Sequence, residues 1–141
     1  MASFSKDLTT TVLLDTNVLI YSAKKPFDIA HQLRRFGFTN ISVPNEVLAE
    51  LRWLSSKGGS KSKRFATLAT QIALGFGTIA LGYSTRSVDD QLLMAAKEKG
   101  YIVATTDSAL RRQLRDEGLS VIYLKRGRLI PETDLLTKSD Y

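Results

Sequence analysis

The chain has 141 residues, 43% hydrophobic and 24% charged, a length and mix that suit one soluble globular domain and leave too little chain for two ordinary ones. It has no cysteine and one histidine, His31, which excludes disulfide scaffolds, thiol catalysis and Cys/His zinc sites; any metal must be held by oxygen ligands, as Mg²⁺ or Mn²⁺ is. The net charge of +6 favours polyanionic partners, RNA or DNA first, and neither a membrane-length apolar run nor a signal peptide is legible, so a cytoplasmic location without membrane contact is expected.

Taken in chain order, short apolar strands alternate with helical periodicities. TVLLD (11–15) reads as a buried strand, followed by a helix through Val18–Ala23. Pro26 opens a second helix on Ile29, Leu33 and Phe36, ended by Gly37. NISVP (40–44) is the second strand, and Pro44 starts a helix with the stripe Val47, Leu48, Leu51 and Leu54, stopped by KGG (57–59). Residues 61–74 form a helix on Phe65, Leu68, Ala69 and Ile72, closed near Gly75 and Gly77. TIALGYS (78–84) is expected as a third strand, VDDQLLMAAKEK (88–99) as a helix and YIVATT (101–106) as a fourth strand. A helix over 107–117, a fifth strand over 120–124 and a short edge strand RLI (128–130) complete the series. Such alternation implies βαβ crossovers and a doubly wound α/β domain with a parallel sheet of about five strands, covered on both faces.

Ligands in such sheets bind beyond the carboxyl ends of the strands near the switch point of strand order. Asp15 ends the first strand and Asp107 follows the fourth. At about 100° per residue, Glu50 projects beside Val47 and Leu54, inside the expected buried stripe, while Glu46 sits in the first turn and serves the helix dipole. Ser87 and Asp90 form a capping pair, so Asp89, pointing toward Leu92 and Ala96, is the candidate, with Asp90 the alternative. Four acids aimed inward at one rim repel each other and resist ionisation unless a cation is coordinated there. Taken singly, Asp15 reads as a turn residue, Asp107 as a helix cap, Glu50 as a partly exposed helix residue and Asp89 as a first-turn acid serving the helix dipole; it is their fall on one rim that those readings leave to chance.

The segments LLDTNVLI, VPNEVLAEL, SVDDQLLMAA and IVATTDSALRRQLR, over roughly residues 11–124, resemble PIN-domain nucleases in order and spacing. The resemblance implies one domain over 1–141 with its core at 11–130, a three-layer α/β/α fold with strand order 3-2-1-4-5, and an Mg²⁺- or Mn²⁺-dependent endoribonuclease. It puts catalytic and metal-ligating acids at Asp15, Glu50, Asp89 and Asp107, with Asn17 and Thr105 as polar neighbours that orient carboxylates or substrate. The family includes toxin ribonucleases with antitoxin partners and rRNA-processing nucleases acting in ribosome assembly; SVDD, ATTD and VIYLKRGRLI look closer to the latter. A homodimer is implied by resemblance alone. Lys61, Lys63 and Arg64, in an expected mobile loop SKGGSKSKR (56–64), and Arg111 and Arg112 beyond Asp107 are candidates for contacting RNA, or else plain solvated charge. Trp53 reads as packing or as a base-stacking surface, His31 as a surface residue and KRGR (125–128) as a basic turn. A catalytically silent RNA-binding module is the competing interpretation. A phosphatase or receiver-like use of Asp15 is disfavoured because Asn17 replaces the second acid, and no P-loop is present.

Overall fold

The structure is a computed structural model describing residues 10–83 and 87–132. Its six strands are β1 (Thr11–Leu14), β2 (Asn40–Pro44), β3 (Gly77–Ile79), β4 (Ile102–Thr105), β5 (Val121–Lys125) and β6 (Arg128–Glu132). The six helices are α1 (Thr16–Lys24), α2 (Ile29–Arg35), α3 (Asn45–Lys57), α4 (Ser60–Leu74), α5 (Val88–Lys99) and α6 (Ser108–Asp116). One sheet runs β3-β2-β1-β4-β5-β6, with every neighbouring pair parallel except β5 and β6. The expected 3-2-1-4-5 order is therefore present, extended by an antiparallel edge strand.

β1 is central, and Val12, Leu13 and Leu14 are wholly buried because helices cover both faces. The pleat sends Val12 and Leu14 into one core with α1 to α4, and Leu13 into the other with α5 and α6. This is the three-layer α/β/α arrangement. Among the described residues no helix is long and apolar enough to cross a membrane.

Several expected elements change shape. The second helix ends at Arg35; Phe36 is 46% exposed, and Phe38, beyond the positive-φ Gly37, fills the core instead. The third strand contracts to Gly77–Ile79, and Ser84 of the expected TIALGYS strand lies outside the described residues. On α4 the buried positions are Ala66, Ala69 and Ala73 while Leu68 is 41% exposed, because α4 packs closely on α3 and α1 through its small residues. Trp53 is 60% exposed, so packing in its own core is not its role.

The basic segment 56–64 is not a loop. α3 continues to Lys57, Gly58 and Gly59 make the link, and α4 begins at Ser60. A Cβ on Gly58 would lie 2.7 Å from the Leu54 carbonyl oxygen, which accepts the Gly58 N–H at 3.0 Å. Only a bare backbone fits this reversal. Gly58→Ala is expected to destabilise the fold by about 1–3 kcal/mol through forced displacement of the helix end. The readout is the urea unfolding midpoint, and an unchanged midpoint would show that the hairpin relaxes without cost.

Candidate active site

Asp15 stands where β1 stops and α1 starts. Its backbone N–H still bonds the Ala104 carbonyl at 3.0 Å, so the sheet holds its main chain. Its Oδ1 accepts from Thr16 N at 2.7 Å, capping α1, and its Oδ2 accepts from the Thr105 hydroxyl at 2.8 Å. Thr105 ends β4, is fully buried, and its Oγ1 also accepts the Asp107 N–H at 3.0 Å. Asp107 caps α6, its Oδ1 taking Ala109 N at 2.8 Å and Leu110 N at 3.2 Å. Glu50 on α3 accepts from the Thr16 hydroxyl at 2.5 Å. At the start of α5, the Ser87 hydroxyl accepts Asp90 N at 3.1 Å, and Asp89 follows Val88 into the opening with its carboxyl hydrogen-bonded to that of Asp107.

Asp15, Glu50, Asp89 and Asp107 thus line one cleft of about 320 Å³, together with Thr16, Asn17, Ser87 and Val88. The capping roles of Asp15 and Asp107 are real, and they are compatible with the shared cleft because capping occupies only one oxygen of each. Asp90 does not line it. The expected burial holds only in part. Asp15 is 4% exposed, but Glu50 and Asp89 are exposed and Asp107 is half-buried. Glu50 sits at the margin of the buried stripe, where α3 leaves the core for the rim, and Asp89 occupies the first turn of α5, clear of the sheet.

Among the described residues no lysine or arginine lines the cleft. Loss of hydration pushes the Asp15 carboxyl above its ordinary range against the bonds from Thr105 and Thr16, and the charges of Glu50 and Asp107 add to the rise. Asp89 is pushed up to about 6, first by lost hydration, then by the charges of Asp15 and Asp107 and the hydrogen bond with Asp107. The compensation available is the positive end of three helices, since α1, α5 and α6 all begin at this cleft.

Among the described residues no three acids form a ready-made metal cage. The donor set still suits a hard divalent cation: the carboxylates are oxygen donors from four separate elements, and a bound cation would relieve the repulsion that helps raise Asp15 and Asp89. Asp15, Asp89 and Asp107 would hold it, with Glu50 direct or through water.

The remaining candidates divide. Asn17 lines the cleft and is exposed. Thr105 is sealed from solvent, so it positions Asp15 and Asp107 and cannot touch a substrate. Lys61, Lys63 and Arg64 are exposed on the first turns of α4. They lie beyond Lys57, itself about 10 Å along the α3 axis from Glu50. Arg111 is committed elsewhere, bidentate to Glu132 at 2.7 and 2.6 Å and 4.4 Å from the Tyr123 ring centre. With Arg115, 3.4 Å from Glu132, it ties α6 to β6. Arg112 is exposed on α6 and does not line the cleft. Sequence reasoning missed Thr16, whose backbone N–H bonds Asp15 and whose hydroxyl bonds Glu50; its place directly after the strand-end acid was the available signal.

Because Asp15 and Asp89 bind protons more tightly folded than unfolded, protonation favours the fold. The Asp89 contribution is complete below about pH 4 and lost as pH rises through about 6, and the Asp15 contribution is lost in the same direction. Glu132 acts oppositely: burial raises it, but Arg111 and Arg115 outweigh that and leave its carboxyl low, so its contribution is lost only in more acidic solution. Cation-free protein is therefore expected to melt higher near about pH 5 than near about pH 7.5, with Asp89→Asn shrinking the gap. A gap equal to wild type in that variant would contradict the raised Asp89 carboxyl.

A family described as PIN like domain matches residues 12–128. Ribonuclease VapC9 of Archaeoglobus fulgidus is 34% identical over 119 residues, covering 84% of this chain and 85% of the relative. Among solved structures, the PIN domain endonuclease Utp24 superposes with a TM-score of 0.69 at 20% identity, over 87% of this chain and 91% of that one. A domain of a functionally unknown protein from Methanocaldococcus jannaschii superposes with a TM-score of 0.51 at 19% identity, over 82% and 91% of the two chains. At those identities the two structures bear on fold alone.

Proposed function

The chain belongs to the PIN-like domain family, and from that premise we propose that it is a divalent-cation-dependent endoribonuclease whose active site is the cleft of Asp15, Glu50, Asp89 and Asp107. The observation that carries this is the convergence of four carboxylates from four separate segments in one cleft. RNA as the substrate is supported by the ribonuclease relative and by the net charge of +6.

A cation bound there would supply the positive charge that a phosphodiester under attack requires and would ease ionisation of the attacking water. The chain's own residues do the remainder. Thr105 and Thr16 fix both oxygens of Asp15, and Thr105 also fixes the main chain of Asp107, so two acids from adjacent strands keep a constant spacing. Thr16 orients Glu50 from the same turn. The amino ends of α1, α5 and α6 face the cleft and favour an incoming phosphate. His31 lies on α2 outside the cleft lining, so no imidazole serves as acid or base there.

Single-stranded RNA incubated with the protein and Mn²⁺ is expected to be cut internally, and excess EDTA to abolish cutting. Binding without cutting in the presence of Mn²⁺ would favour the silent RNA-binding module instead.

A further inference from the structure

A second concavity, of about 650 Å³, lies between α2 and the start of β6, with His31, Gln32, Arg35, Phe36, Arg128 and Ile130 in its walls. Its two sides are bolted together by one amide. Gln32 donates to the Gly127 carbonyl at 2.8 Å and accepts the Leu129 N–H at 2.8 Å. Arg35 and Arg128 are exposed, and among the described residues neither is paired with a carboxylate. The acid at the rim, Asp28, is occupied in capping α2 through His31 N at 2.9 Å. Phe36 presents 46% of its surface.

A peptide adding itself to the sheet edge does not suit this groove. Leu129 N points outward to Gln32, and Pro131, two residues on and facing the same way, has no N–H, so at 129 and 131 the β6 edge offers an incoming strand no free donor. What remains is positive charge beside an open aromatic ring, the pairing that suits phosphates joined to a flat base. The hairpin turn bordering the groove carries Lys125, Arg126 and Arg128, with Arg126 and Gly127 at φ 53° and 78° as a two-residue turn of the primed kind requires. That turn emerges at the carboxyl end of β5, which runs parallel to β4 and β1, whose carboxyl ends bear Asp107 and Asp15.

We infer that the α2–β6 groove is a second RNA subsite, holding a nucleotide of the bound strand away from the cleaved bond, with the base on Phe36, flanking phosphates on Arg35 and Arg128, and the basic turn guiding the strand toward the acid cleft. The inference rests on the RNA reading of that cleft and names where the rest of the strand lies.

The test is the affinity of Asp15→Asn protein for a fluorescein-labelled single-stranded RNA of about twenty nucleotides, read by anisotropy over a salt series. Adding Arg35→Gln/Arg128→Gln is expected to weaken binding about tenfold and to lower the log–log salt slope by about 1.4, the counterions of two phosphates. Adding Phe36→Ala weakens binding about tenfold with the slope unchanged. Lys25→Gln/Lys97→Gln removes the same charge elsewhere and leaves affinity within about twofold. Equal losses from the two charge pairs, or none from either, overturn the subsite. So does a labelled polyglutamate peptide that binds as tightly as the RNA with the same dependence on Arg35 and Arg128. Wild-type protein that cuts no RNA, while binding keeps its dependence on the groove, would refute the nuclease and leave the subsite standing.

Discussion

Asp15→Asn is expected to lower the rate of RNA cleavage by about 10³-fold while leaving RNA binding and the fold intact. Asn keeps the volume and an acceptor for Thr16 N, so the α1 cap survives. It removes the one deeply buried negative charge of the cleft, to which Glu50, Asp89 and Asp107 are all electrostatically linked. Relief from burying that charge offsets any lost bond from Thr105, so the thermal midpoint at neutral pH is expected to hold or rise. Initial rates with Mn²⁺ beside a melting curve separate chemistry from folding. A variant cutting within about tenfold of wild type would remove Asp15 from the catalytic machinery.

Thr105→Val is expected to lower cleavage about 10–100-fold and cost about 1–3 kcal/mol of stability. Valine matches the volume but removes the hydroxyl that donates to Asp15 Oδ2 and accepts from Asp107 N, leaving a carboxylate oxygen and a backbone N–H to find new partners. Because Thr105 is fully buried, no loss of RNA contact can account for the effect. Thr105→Ser, which keeps the hydroxyl, should recover most of the rate. If Val and Ser variants cut equally well, the bridge between the two strand-end acids plays no part in catalysis.

Glu50 and Asp89 show how far periodicity reaches. Helical angles correctly picked them over Glu46 and Asp90 as the acids lining the cleft, yet wrongly put them in the core. An angle around a helix axis says which way a side chain leaves, whereas its exposure depends on what lies opposite, and for both residues that is an open rim. Phe36 and Phe38 make the same point: only the turn at Gly37 decides which ring meets the core. The charged segment 56–64 read as a loop because its glycines and serines are poor helix formers, but two glycines suffice for a tight reversal and tertiary packing of α3 on α4 carries the helices through.

By itself the sequence determined the alternation of strands and helices and the all-oxygen character of any metal site, since these follow from residue type and local spacing, and spacing with family resemblance singled out the four acids that line one cleft. Tertiary structure alone decided that Thr105 and Thr16 lock the acids in place, that Arg111 belongs to Glu132, and that a basic groove forms between α2 and β6. The bonds that join separate elements there link residues 21 to 97 positions apart, where local periodicity carries no information and only the closing of the sheet sets who meets whom.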